Sequence, residues 1–172
     1  MNHQLIEILN CDKRYGIGKK NGLLFRQPKD MAYFRSTTLG HCVVMGENTL
    51  LSFPNSKPLP KRKNIVLSQD ETHEYEGVIN VHSFEDFLSK IKEELEHDDV
   101  YVIGGASIYR QMLPYCDKVL LTKIDADGEA EVFFENLDKT PSFSLKSQSE
   151  WEEDNGNMIC FCEYVNLQKK PL

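Results

Sequence analysis

The sequence predicts an α/β fold: a single three-layer domain with a mainly parallel central sheet, an antiparallel C-terminal edge hairpin and flanking helices. Short apolar runs alternate with helical periodicity through the first two thirds of the chain, the pattern of strands joined by crossover helices. Two of these runs end in glycine just before a helix start. The final third is strand-rich without a helical period, which places an antiparallel edge on the parallel sheet.

In chain order, Leu5 to Leu9 is an apolar strand interrupted by Glu7, and Asp12 to Gly16 is the loop after it. Pro28 opens a helix over 28–38, because proline suits the first helical position. His41 to Met45 is a β-rich run stopped by Gly46, and Asn48 to Ser52 can form a brief helix. Pro54, Pro58 and Pro60 force an extended loop. Asn64 to Ser68 and Val78 to Val81 are further strands. Ser83 with Asp86 caps a helix whose apolar stripe is Phe84, Phe87, Leu88 and Ile91. Val100 to Ile103 runs into Gly104-Gly105, and a helical pattern from Ser107 to Leu113 ends at Pro114. Lys118 to Ile124 is the next strand. Phe143, Leu145, Trp151 and Met158 to Val165 indicate one or two late strands in a hairpin.

The 172 residues suffice for one continuous core and a ligand cleft, so 1–172 reads as one domain. Hydrophobic residues make up 40% and charged residues 27%, a globular composition. A net charge of -7 argues against a general nucleic-acid or anionic-membrane binder, though it leaves room for a local basic patch. Met1 to Glu7 lacks the basic lead and apolar stretch of a signal peptide, and no run approaches the ~20 apolar residues of a membrane span. Cys11, Cys42, Cys116, Cys160 and Cys162 are odd in number and sit mostly in apolar strands, which suits reduced thiols in a cytoplasm. Cys160 and Cys162 have no second pair or His cluster beside them, so no metal site is expected.

Asp30 carries the most information about function. Positions 27, 30, 31, 34 and 38 form one helical stripe, so the acid shares a face with Met31 and Phe34. No Lys, Arg or His lies on that stripe, and the missing partner of a carboxylate there can be a ligand. The alternative is a first-turn acid favoured by the helix dipole. The turns at Gly46 and at Gly104-Gly105 have the form strand, glycine, helix start, across which a pyrophosphate could lie; each is equally readable as a plain turn.

Together these pieces, in this order, resemble the dihydrofolate reductase family over nearly the whole chain. The resemblance rests on Gly16-Ile17-Gly18-Lys19, Pro28-x-Asp30 with Phe34, Val44-Met45-Gly46 with Thr49, Pro58 to Asn64, and Val102-Ile103-Gly104-Gly105 with Tyr109. It implies reduction of 7,8-dihydrofolate to tetrahydrofolate, with hydride passing from the nicotinamide of NADPH to C6 of the pteridine and a proton reaching N5. Asp30 matches the family's active-site carboxylate, whose two oxygens suit the adjacent N–H groups of a 2-aminopteridine. The resemblance implies that Asp30 orients the ring and that water delivers the proton. Thr122 matches the threonine that hydrogen-bonds the carboxylate, and is also an ordinary β-branched strand residue.

The same resemblance implies that Arg62 grips the glutamate carboxylate of the folate tail. Ile8, Leu9, Met31, Phe34, Phe53, Leu59, Ile103 and Tyr109 become substrate contacts. Gly46, Asn48, Thr49, Gly104, Gly105, Ala106, Ser107, Ile108 and Tyr109, with Leu67, Ser68 and Ile103, become the cofactor cradle. Ile17 and Gly18 belong to a loop that closes over the nicotinamide. Asn10 stands where an alanine commonly meets the nicotinamide carboxamide, and Gln27 replaces a leucine, so a more polar pocket is expected.

Other departures affect loop and cofactor. Leu23-Leu24-Phe25 replaces Leu-Pro-Trp, and Ala130-Glu131-Val132 replaces Gly-Asp-Thr, altering the loop contact made there. Glu47 and Ser107 stand where basic residues commonly neutralise the 2′-phosphate of NADPH. Ser68 and His82 remain as phosphate contacts, so NADPH is the expected cofactor with NADH left open. The expected ligands are dihydrofolate and antifolates, without nucleic-acid or membrane partners, for a cytoplasmic monomer. Two further readings stay open: a same-fold riboflavin-pathway reductase, and a folate- or nucleotide-binding protein without turnover.

Overall fold

The computed structural model describes residues 3–19 and 24–172. Its main sheet is centred on β1 (Leu5–Cys11). On one side lie β6 (Val100–Val102), β3 (Cys42–Gly46), β4 (Lys63–Leu67) and β5 (Ile79–Val81), each parallel to its neighbour. On the other side β7 (Lys118–Ile124) is parallel to β1, and β11 (Asn157–Asn166) returns antiparallel to it. The expected mixed sheet with a parallel centre and antiparallel edge is therefore observed.

Side-chain alternation divides the core between the two faces. In β1, Ile6 and Ile8 join Val43, Met45, Leu50 and Ile103 on one face, against which Tyr33 and Phe34 of helix α1 (Pro28–Thr38) pack. Leu5, Leu9 and Cys11 enter the other core, with Phe87 and Ile91 of α3 (Phe84–Glu94) and Ile108 and Met112 of α4 (Ala106–Met112). The short α2 (Glu47–Ser52) follows β3 and buries Leu50. β3 and β6 are buried on both faces, which is why they read as unbroken apolar runs.

From Phe143 onward the chain forms three strands where one or two were expected. β9 (Phe143–Gln148) and β10 (Glu152–Asp154) both pair with β11. Phe143 alone is buried in β9 and Asp154 alone in β10, so edge exposure erased the apolar signal that sequence reading depends on. A second small sheet joins β2 (Gly16–Gly18) to β8 (Val132–Phe133), where a loop was expected. The buried Asp12 carboxylate draws these loops together: it accepts from the Arg14, Gly16 and Gly128 N–H groups at 2.9, 2.7 and 3.0 Å. The altered Ala130-Glu131-Val132 segment still meets the first loop through its backbone, since Glu131 N–H donates to Gly18 and Phe134 N–H to Tyr15. In the Leu23-Leu24-Phe25 departure, Leu23 lies outside the described residues. Leu24 and Phe25 cover Gly128, where a Cβ would stand 2.9 Å from Leu24 Cβ.

Candidate active site

Helix α1 presents Asp30 to the sheet beside the C-terminal ends of β1 and β7. Asp30 is 8% exposed, and the Asn10 amide donates to its Oδ2 at 2.7 Å. Asn10 and Thr122 are register partners on β1 and β7, so adjacent strands aim an amide and a hydroxyl at one carboxylate. Burial raises the Asp30 pKa; Thr122 and Asn10 oppose that shift by stabilising the ionised form, and the nearby Asp154 charge reinforces it. The acid thus has neutral partners but forms no ion pair among the described residues. Asn10, expected to meet the cofactor, donates its amide to the Asp30 carboxylate.

The stripe shared by Asp30, Met31 and Phe34 does not close into a core. Met31 is 49% exposed, and Asp30 and Thr38 are the buried residues of α1. An apolar side chain left open beside a buried acid describes a cleft wall. Ile8 and Ile103 lie in the core on this side, and Phe34, Phe53 and Leu59 pack against it half-buried. Leu9, the residue after Ile8, turns into the opposite core by strand alternation, as does Leu67. Tyr109 is also in that opposite core and donates its hydroxyl to the Ile8 carbonyl at 2.9 Å, so it holds the β1 backbone rather than walling the cleft on the α1 side.

Arg62 lies at the far end of α1, donating to Thr38 Oγ1 at 3.0 Å and through Nε to the Pro60 carbonyl. Its pKa is lowered, first by burial and then by the charge of Arg35. Two guanidinium groups whose charges act on each other, neither in an ion pair among the described residues, suit an anion. Sequence reading found Arg62 but not Arg35; its last-turn position on α1, one turn after Met31, was the available signal.

The two glycine turns meet side by side, with Gly46 N–H donating to the Gly104 carbonyl at 2.9 Å. Gly104 has φ +133, and a Cβ there would stand 3.0 Å from Thr49 Oγ1. Ala106, Ser107 and Ile108 form the first turn of α4, where Ser107 is exposed and Ile108 is buried. Asn48 is exposed beside half-buried Thr49, and Ile17 and Gly18 are half-buried on β2. Glycine at both turns is what lets an anion approach a backbone closely at a helix start.

The adenosine corner differs. Ser68 donates to Glu47 Oε2 at 3.0 Å, and His82 is bonded to the Ser68 carbonyl and to Glu74 Oε1, both at 2.9 Å. Neither is a free phosphate contact as expected. Gln27 also departs from expectation: it bonds to the Asp154 carbonyl and accepts from Asn157, so its amide serves the hairpin rather than making the pocket polar. Asp154 itself was missed. It accepts from Lys29 N–H at 3.0 Å, capping α1 from a distant hairpin.

Comparison with known proteins agrees with this geometry. Residues 4–168 match the family model described as dihydrofolate reductase. The dihydrofolate reductase of Bacillus subtilis is 34% identical over 163 residues, 95% of this chain and 93% of that protein. The Haemophilus influenzae dihydrofolate reductase is 40% identical over 70% of this chain and 72% of that protein. A solved dihydrofolate reductase from Enterococcus faecalis, complexed with NADP(H) and RAB-propyl, superposes with a TM-score of 0.82 at 26% identity, covering 95% of this chain and 96% of that one. A buried acid on an open helix face, paired glycine turns and a mixed sheet are thus found in a chain that belongs to the dihydrofolate reductase family.

Proposed function

We propose that Asp30 is the substrate-orienting acid of a dihydrofolate reductase that converts 7,8-dihydrofolate to 5,6,7,8-tetrahydrofolate with NADPH. One observation carries this role: a buried carboxylate without an ion pair, held by Asn10 and Thr122, beside an exposed apolar side chain on the same helix face. Its two oxygens can accept from the 2-amino group and the adjacent ring nitrogen of the pteridine. When bound, NADPH supplies the hydride that goes to C6, and the N5 proton comes from water.

The chain's residues perform three tasks around that transfer. Asp30 fixes the pteridine, and its raised pKa makes it a better hydrogen-bond partner for the protonating ring. Phe34, Phe53, Leu59 and Ile103 exclude water from the ring system, which strengthens each polar contact. Arg62 and Arg35 receive the carboxylate of the glutamate tail. Residues 1–172 act as a single domain and a monomer in the cytoplasm; no helix among the described residues is long and apolar enough to cross a membrane.

Oxidation of NADPH in the presence of dihydrofolate, followed by loss of reduced-cofactor absorbance, tests the activity. Asp30→Asn is expected to lower kcat/KM at neutral pH by at least about tenfold, ~1.4 kcal/mol of transition-state stabilisation. An unchanged value would reject the role of Asp30. Tight binding of an antifolate without any cofactor oxidation would make the chain a binding protein instead.

A further inference from the structure

The residues at the adenosine corner do not fit a 2′-phosphate. Strand order fixes where that corner lies. Asn10 ends near β7 on β1, Gly104 follows β6, Gly46 and Glu47 follow β3, and Ser68 follows β4, in the spatial order β1, β6, β3, β4. Neighbouring strands are ~4.8 Å apart, so Glu47 stands roughly 10 Å from the end of β1, beyond the paired glycine turns. A dinucleotide with its nicotinamide near Asp30 and its pyrophosphate over those turns brings its far ribose to the ends of β3 and β4.

The groups gathered there are acids partnered by hydroxyls and histidines rather than by lysine or arginine. Glu47 Oε2 accepts from Ser68 Oγ at 3.0 Å, pairs with His73 Nδ1 at 2.6 Å and accepts from the Tyr75 hydroxyl. His73 Nε2 lies 3.4 Å from Asp70, and His82 bonds Glu74. No lysine or arginine bonds to Glu47, Asp70 or Glu74 among the described residues. The Tyr75 hydroxyl, with Ser68 and His73, holds the Glu47 carboxyl below its ordinary range, so it is ionised at neutral pH. All three partners sit on Oε2, and among the described residues Oε1 has no hydrogen bond, which leaves it to accept a hydroxyl.

We propose that Glu47, fixed by Ser68, His73 and Tyr75, is a cofactor-specificity residue that reads the ribose 2′-hydroxyl, so that this reductase takes NADH as well as NADPH. A free 2′-hydroxyl donates to the carboxylate, whereas a 2′-phosphate meets a like charge. This inference rests on the reductase reading for the identity of the cofactor, and the deciding measurement is binding, which needs no turnover.

The test is titration of NADPH and NADH into the full chain and into Glu47→Gln and Glu47→Arg, without dihydrofolate, with ADP and adenosine 2′,5′-bisphosphate as nicotinamide-free probes. The expected wild-type dissociation constants for NADPH and NADH lie within about tenfold of each other, and Glu47→Gln should move their ratio at least ~tenfold toward NADPH. In Glu47→Arg, NADPH binding should become salt-dependent where NADH binding does not. Wild-type preference for NADPH beyond about 100-fold, or a ratio unmoved in both variants, overturns the proposal. If the ratio shifts while no cofactor is oxidised with dihydrofolate, the specificity role stands and the reductase reading falls; turnover with an unmoved ratio has the opposite meaning.

Discussion

Glu7 sits in the middle of β1 with 0% exposure, and neither carboxylate oxygen meets a hydrogen-bond donor among the described residues. Burial raises its pKa well above the ordinary 4.5, and Tyr109 and Cys116 feel its charge. A carboxyl raised in the folded state binds a proton that the unfolded chain has released. Its contribution is therefore fully favourable below about pH 4.5 and is lost as pH rises toward the folded pKa. Glu7→Gln keeps the shape without the charge, and should raise stability at pH above the ordinary carboxylate range and flatten the pH dependence of unfolding. Chemical denaturation across pH measures both; an unchanged slope would mean that Glu7 finds a partner in solution. Asp30 is raised by the same cause and carries the same sign, so Asp30→Asn should stabilise the fold above the ordinary carboxylate range while impairing catalysis.

Between elements, one contact that reaches the site joins α1 to the β10–β11 hairpin. Gln27, the residue before α1, makes no side-chain cap, and the Asp154 carboxylate takes that task from ~125 positions away, accepting from Lys29 N–H. The same carboxylate raises the Asp30 pKa through space. Asp154→Ala is therefore expected to cost about 1 kcal/mol of stability and to lower the Asp30 pKa. Urea unfolding reads the first effect, and a carbon-13 NMR titration of the Asp30 carboxyl reads the second. An Asp30 titration that stays in place would show that the hairpin only caps the helix. Tyr33, tilted against Phe161 with ring centroids 4.6 Å apart, adds an apolar contact between α1 and β11.

For the whole molecule, the proposed cofactor and substrate sites share one edge of one sheet, so binding should stabilise the chain as a unit. NADPH at ~100 times its dissociation constant adds about 2.7 kcal/mol, expected to raise Tm by roughly 5–10 °C for a chain this size; no shift in a thermal melt would count against the cofactor cradle. The sequence alone determined the α/β class, the parallel strands and helices α1 and α3, because strands buried on both faces leave unbroken apolar runs, Pro28 marks the start of α1, and the apolar stripe of α3 leaves a helical period. It also picked out Asp30 and the glycine turns, since each combines a chemistry with a recognisable local stripe or turn, whereas Thr122 and Arg62 were implied by the family resemblance. Tertiary structure decided what those residues meet. Asn10 belongs to Asp30, Gln27 to Asp154, Ser68 to Glu47 and Arg35 to Arg62, and each pairing joins separate elements whose separation in the chain carries no local signal. The edge strands β9 and β10 and the β2–β8 pair were likewise settled by long-range backbone hydrogen bonds, which leave little imprint on exposed side chains.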